Sequence, residues 1–131
     1  MQTANISAGK AIAGVLSTTL DPGGSYKMLV TADGKVVITK DGATVLGGMD
    51  IEHPAAQMIV EVAESQSEAI GDGTTTAAVL TGQLLSEAEE LLDDDIHPTT
   101  IVGGYHEAAR FACEIIEYHA TDSQPSDKRL R

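Results

Sequence analysis

Apolar side chains recur at helical spacing in four stretches of this chain, and two short β-rich runs separate the first stretch from the rest. From Asn5, a good N-cap residue, Ile6, Ala8, Ala11, Ile12, Val15, Leu16 and Leu20 approximate one helical face despite Gly9 and Gly14, predicting a helix over 5–20. Asp21-Pro22-Gly23-Gly24-Ser25 then breaks regular structure. Met28-Leu29-Val30 and Val36-Val37-Ile38-Thr39 flank Thr31-Ala32-Asp33-Gly34-Lys35, and two β-rich runs around an Asp-Gly pair predict a hairpin. The run 43–49 is long enough for a turn or two of helix before Gly47-Gly48 weakens it.

Three longer helices follow. His53-Pro54 and His97-Pro98 mark two starts, because proline is favoured in a first helical turn, where its missing N–H would go unpaired anyway. The helix over 54–70 is expected to bury Ala55, Ile59, Val62, Ala63 and Ile70. That over 74–92 should bury Ala77, Val79, Leu80, Leu84, Leu85, Ala88, Leu91 and Leu92. A third, from 99 to 118, presents Ile101, Val102, Tyr105, Ala108, Ala109, Ala112, Ile115 and Ile116. At 1.5 Å per residue each would run ~25–30 Å. The fold class is therefore mainly α with a small β-hairpin. Residues 120–131 have the composition of a polar tail and are expected to be disordered.

Composition narrows the possibilities. A chain of 131 residues is one domain or part of one, and with only Tyr26, Tyr105, Phe111 and Tyr118 as aromatics its core must rely on aliphatic side chains. A net charge of −12 argues against unaided binding to nucleic acid or to anionic membrane surfaces, and suits either a salt-rich cytoplasm or an acidic fragment of a larger assembly. No apolar run reaches the ~20 residues of a membrane span, and the first five residues lack the features of a secretory signal. The expected location is cytoplasmic. Cys113 is the only cysteine and, beside Ala112 on a helical pattern, reads as a small buried residue. The four histidines have no metal-site spacing and read as cap and surface residues. The acidic run from Glu87 to Asp95 lacks the ligand ladder of a calcium loop and reads as a solvated helix end.

Candidate chemistry lies in three polar breaks, over 19–25, 40–44 and 71–76. Gly71-Asp72-Gly73-Thr74-Thr75-Thr76 joins two long helices. Its glycines allow sharp turning, its threonines suit the cap of the next helix, and that helix start offers unpaired N–H donors to an anion. Asp72 would repel a phosphate unless a hard cation such as magnesium stood between them. The hexamer alone is equally a plain link between helices, Asp41 alone a turn residue beside Gly42, and Lys40 alone a solvated lysine. Together the loops hold glycine backbone, hydroxyls, one lysine and two carboxylates. That set fits a Mg-nucleotide better than a sugar, a metal alone or a peptide, although neither a P-loop nor a strand-linked GxGxxG is present.

Thr18-Thr19-Leu20-x-Pro22-x-Gly24, Ile38-Thr39-Lys40-Asp41-Gly42 and Gly71-Asp72-Gly73-Thr74-Thr75-Thr76 resemble, in order and spacing, the three nucleotide-contacting segments of chaperonins. Met49-Asp50-Ile51-Glu52-His53-Pro54-Ala55-Ala56 and Ile96-His97-Pro98-Thr99 resemble the archaeal thermosome branch. The resemblance covers residues 5 to about 119. It implies that residues 1–119 are the N-terminal half of an equatorial ATP-binding domain, with ATP or ADP and Mg²⁺ as cofactors. Thr19, Leu20 and Pro22 would line the nucleotide, and Lys40 and Gly42 would lie at its phosphates. Gly71, Gly73 and Thr74 to Thr76 would hold phosphate oxygens, Asp72 would bind Mg²⁺, and Asp41 would help to place water.

Two departures matter. Asp21 stands where the family has glycine, and Gly23 where it usually has a basic residue. One like charge at ~4 Å opposes a phosphate by ~4 kcal/mol at an effective dielectric of 20, before screening. Chaperonins are also several-fold longer, with the principal catalytic aspartate and the substrate-binding surface in parts that this chain does not contain. The partners implied are other chaperonin subunits in a ring, and unfolded proteins only through those further domains. The expected function is that of an ATP-binding module from a protein that couples ATP hydrolysis to protein folding. The other reading is a degenerate, non-hydrolysing module that docks onto chaperonin rings. Helix faces left uncovered should give marginal stability or self-association, which sedimentation at several concentrations would detect.

Overall fold

The computed structural model describes residues 2–20, 23–31 and 33–120. The elements run α1 (Gln2–Ser17), β1 (Lys27–Val30), β2 (Val36–Thr39), α2 (Gly42–Gly47), α3 (Pro54–Ile70), α4 (Thr74–Asp93) and α5 (Pro98–His119). The chain divides into two compact units, Met1–Leu91 and Leu92–Arg131.

In the first unit, α1, α3 and α4 pack around small and aliphatic side chains. Ile12 and Leu16 of α1, Val45 and Leu46 of α2, Ala56, Ile59 and Ala63 of α3, and Ala78 of α4 form one buried cluster. Small residues set how closely the helices approach. A Cβ on Gly82 of α4 would stand 2.1 Å from the Cβ of Ala13 on α1, so no larger residue fits that crossing without displacing a helix. Lys10 and Glu89 close the far end of the same pair with a 2.7 Å ion pair.

The hairpin forms as expected, antiparallel with Met28 opposite Ile38 and Val30 opposite Val36. Its Thr31–Lys35 connection is closed by a backbone bond from Thr31 N to Lys35 O at 2.9 Å, with Gly34 at φ +80°. A two-stranded ribbon is marginal alone. Leu29 anchors this one, since its Cδ1 lies 2.8 Å from where a Gly48 Cβ would be, at the end of α2.

Both His-Pro signals mark helix starts, and the histidines are the caps. His53 Nδ1 accepts from Ala55 N, and His97 Nδ1 from Thr99 N, each at 3.2 Å. Each ring satisfies one of the donors that a helix start leaves unpaired. In the second unit, α5 carries an Arg110–Glu114 pair at 2.6 Å one turn apart.

Several expectations are corrected. Asn5 lies inside α1, which begins three residues earlier, so it is not the cap. Thr74 to Thr76 are the first turn of α4 and not its cap, because the chain enters that helix through Gly73. Val62, Ile70, Leu80, Val102 and Ile116 are at least half exposed, as their faces of α3, α4 and α5 are uncovered. Cys113 is exposed for the same reason on α5. The expected disordered tail falls mainly on residues 121–131, outside the described residues. No helix among the described residues is long and apolar enough to cross a membrane.

Candidate functional site

The three polar breaks meet. Thr19 and Leu20, then Lys40, Asp41 and Gly42, then Ser67 and Gly71 to Thr76 line one cleft of about 270 Å³ in the first unit. Every site residue expected from the sequence is there except Pro22, which with Asp21 lies outside the described residues.

Each wall has a local cause. At the end of α1, Ser17 and Thr19 side chains donate to Gly14 O and Leu16 O at 2.9 and 2.7 Å, and Thr19 N also donates to Leu16 O at 2.9 Å. This pins Thr19, which is buried, while Leu20 stays exposed. Thr18 O accepts from Ser25 N at 2.7 Å and draws the end of the loop back towards α1.

The second wall is the step from β2 into α2. Asp41 caps α2, its Oδ2 accepting from Thr44 N at 2.8 Å and Thr44 Oγ1 at 2.6 Å. The Thr44 hydroxyl, then the Thr44 N–H, hold the Asp41 carboxyl below the usual carboxylate range. Lys40 points its ammonium over the Tyr26 ring, 5.6 Å from the centroid. Gly42 is packed against the third wall, where a Cβ would lie 2.4 Å from Thr75 Oγ1 and 3.3 Å from Thr75 N.

The third wall is the turn from α3 to α4. Gly71 and Gly73 adopt φ of +79° and +85°, a region that side chains disfavour, so this link requires its two glycines. Gly71 N donates to Ser67 O at 2.7 Å and closes α3, while Asp72 Oδ1 accepts from Gly73 N, also at 2.7 Å. The first bond into α4 runs from Ala77 N to Gly73 O at 2.9 Å. The N–H groups of Thr74, Thr75 and Thr76 therefore precede the helical ladder and remain for an anion.

These residues fit a magnesium–phosphate group. The donors at the start of α4 suit phosphate oxygens, Lys40 supplies a cation, and Asp72 supplies a hard oxygen ligand. Magnesium is ordinarily held by one or two carboxylates plus phosphate and water, so a fuller protein cage is not needed. Among the described residues no group of three or more His, Cys, Asp or Glu forms such a cage. At about 270 Å³ the cleft is near the lower end of ordinary small-molecule pockets, ~300–1,000 Å³.

Ser67 is the lining residue that sequence reading missed. It lies on α3 four residues before Gly71, hence on the same helix face, but a lone polar residue on a solvated helix carries no signal of its own.

Residues 12–131 match the TCP-1/cpn60 chaperonin family. Thermosome subunit 3 of Haloferax volcanii is 62% identical over 130 residues, covering 99% of this chain and 25% of that protein. Thermosome subunit alpha of Archaeoglobus fulgidus is 56% identical, covering 97% of this chain and 23% of that protein. Thermosome subunit beta of Methanothermobacter thermautotrophicus is 51% identical, covering 99% and 24%. The chain thus spans about a quarter of the length of these curated relatives. By this match over most of its length and by its identity to these relatives, this chain belongs to the TCP-1/cpn60 chaperonin family.

Proposed function

We propose that this chain is the N-terminal half of a chaperonin equatorial domain and binds ATP or ADP with Mg²⁺, within a protein that couples ATP hydrolysis to the folding of other proteins. The observation that carries this reading is the convergence of three separate loops on one polar cleft, with a helix start, a lysine and two carboxylates.

On this reading each residue of the cleft has a role. Thr74 to Thr76 direct backbone N–H groups and hydroxyls at the phosphates, and Lys40 offsets part of their charge. Gly42 keeps the second loop close against Thr75, so that both contact the same group. Asp72 holds the metal, which when bound neutralises phosphate charge and polarises the terminal phosphorus. Asp41, whose bonds to Thr44 both use Oδ2, retains Oδ1 to orient a water. Thr19 and Leu20 line the nucleotide from the end of α1, and the family resemblance adds Pro22 to them. Ring assembly with other chaperonin subunits and contact with unfolded proteins belong to the longer chain of which this is the equivalent part, and the place of action is the cytoplasm.

Titrating the chain with ATP at high salt, with and without Mg²⁺, tests the reading. Saturable binding that needs Mg²⁺ and falls at least tenfold in Asp72→Ala, with melting unchanged, is the expected result. Binding indifferent to both Mg²⁺ and Asp72 would contradict it. Absence of binding together with co-purification of full-length chaperonin subunits would favour a docking module instead.

A further inference from the structure

We propose that Gln66 is a positioning residue that sets the orientation of the Asp72–Gly73 peptide, and through it the Asp72 carboxylate. The proposal rests on the Mg-nucleotide reading of the cleft.

The turn from Gly71 to Gly73 contains two glycines in left-handed conformations, and glycine has more alternative conformations than any other residue. A metal ligand on such a link gains from an outside restraint, and two atoms of a single peptide unit receive one. The Asp72 carbonyl accepts from Gln66 Nε2 at 3.2 Å, and the N–H on the other side of that peptide, from Gly73, donates to Asp72 Oδ1 at 2.7 Å. Rotation of this peptide would break both bonds together. Gln66 reaches it from the last turns of α3, a rigid element. It also lies against Gly73, where an added Cβ would be 3.1 Å from Nε2 and 3.5 Å from Cγ. The same side chain thus restrains the turn by a hydrogen bond and by contact.

Gln66 lines no wall of the cleft and need not touch the ligand, so its role differs from that of Asp72. The Gly71 and Gly73 N–H groups, expected to hold phosphate oxygens, are instead given to Ser67 O and Asp72 Oδ1, so removing the amide while keeping the length should loosen the turn without altering the N–H groups of Thr74 to Thr76. Only the part of nucleotide affinity that passes through the metal should then suffer.

Gln66→Met tests this, since methionine keeps length and helix propensity but has no donor. Amide hydrogen exchange is followed in the chain without ligand, and ATP affinity is measured with and without Mg²⁺. Exchange at Gly73 should quicken about three- to tenfold, the range for one lost hydrogen bond, with the interior amides of α3 and α4 unchanged. Affinity for ATP with Mg²⁺ should fall by a similar factor, while affinity without Mg²⁺ holds. Unchanged exchange at Gly73 would overturn the proposal, as would quickening along both helices alike, which is the mark of a general packing role. Quickened exchange at Gly73 with undiminished Mg²⁺-dependent affinity would overturn it too. If the unaltered chain binds no nucleotide, the nucleotide reading fails. The exchange measurement, made without ligand, still decides whether Gln66 holds the turn.

Discussion

Asp41 does two jobs in a small space, capping α2 and facing the cleft, and its titration separates them. Its carboxyl is held low by the Thr44 hydroxyl and N–H, so the ionised form is favoured by folding. A carboxylate lowered in the folded state contributes stability above its unfolded value, near 3.9, and that contribution is lost as pH falls through the lower folded value. Asp41→Asn, which retains capping ability but has no charge, should melt below the parent chain above about pH 4, and the gap should close below it. Thermal melts of both chains from pH 6 to pH 2 check this; a gap independent of pH would show that the charge does not matter. Lys40 and Asp41 looked ordinary one at a time, since a lysine and an Asp-Gly turn occur in any surface loop. Their meaning came from the glycine and threonine loops that accompany them. Gln66 and Ser67 were illegible in the sequence for the opposite reason: they sit among polar residues on a helix, where nothing local distinguishes a side chain that holds a turn from one that faces water.

Elements with local punctuation were the readable ones. His-Pro pairs at 53–54 and 97–98 gave the starts of α3 and α5, Asp33-Gly34 gave the hairpin, and Gly71 gave the end of α3. The start of α1 was misplaced because continuation of the helix to Gln2 overrode a good cap residue at Asn5. Which faces are buried was less readable, since periodicity shows that a helix has an apolar stripe but not whether anything covers it. The close approach of α1 and α4 gave no sequence signal, because a glycine inside a helix does not show that it faces Ala13. Gly82→Ala should destabilise the chain by about 1–3 kcal/mol through overpacking at that crossing. Ala13→Gly added to it should recover much of the loss, because the atom met at 2.1 Å is the Ala13 Cβ. Denaturant unfolding of both single variants and the double variant measures the coupling. Simple additivity would mean that α1 and α4 do not meet as described.

At the scale of the whole molecule, both units leave large apolar side chains exposed on their helices. Met58, Val62, Leu80, Phe111 and Ile116 are each at least half exposed, which is the physical basis for expecting self-association. The net charge of −12 opposes both folding and the approach of a polyanionic ligand, and salt relieves both by screening. The convergence of the three loops is the central claim, and it is read most directly from backbone amide shifts on adding ADP with Mg²⁺ at high salt. Thr19 and Leu20, Lys40 to Gly42, and Gly71 to Thr76 should all shift along one common binding curve. Shifts confined to a single loop, or centred on other residues, would contradict the claim that these loops form one nucleotide site.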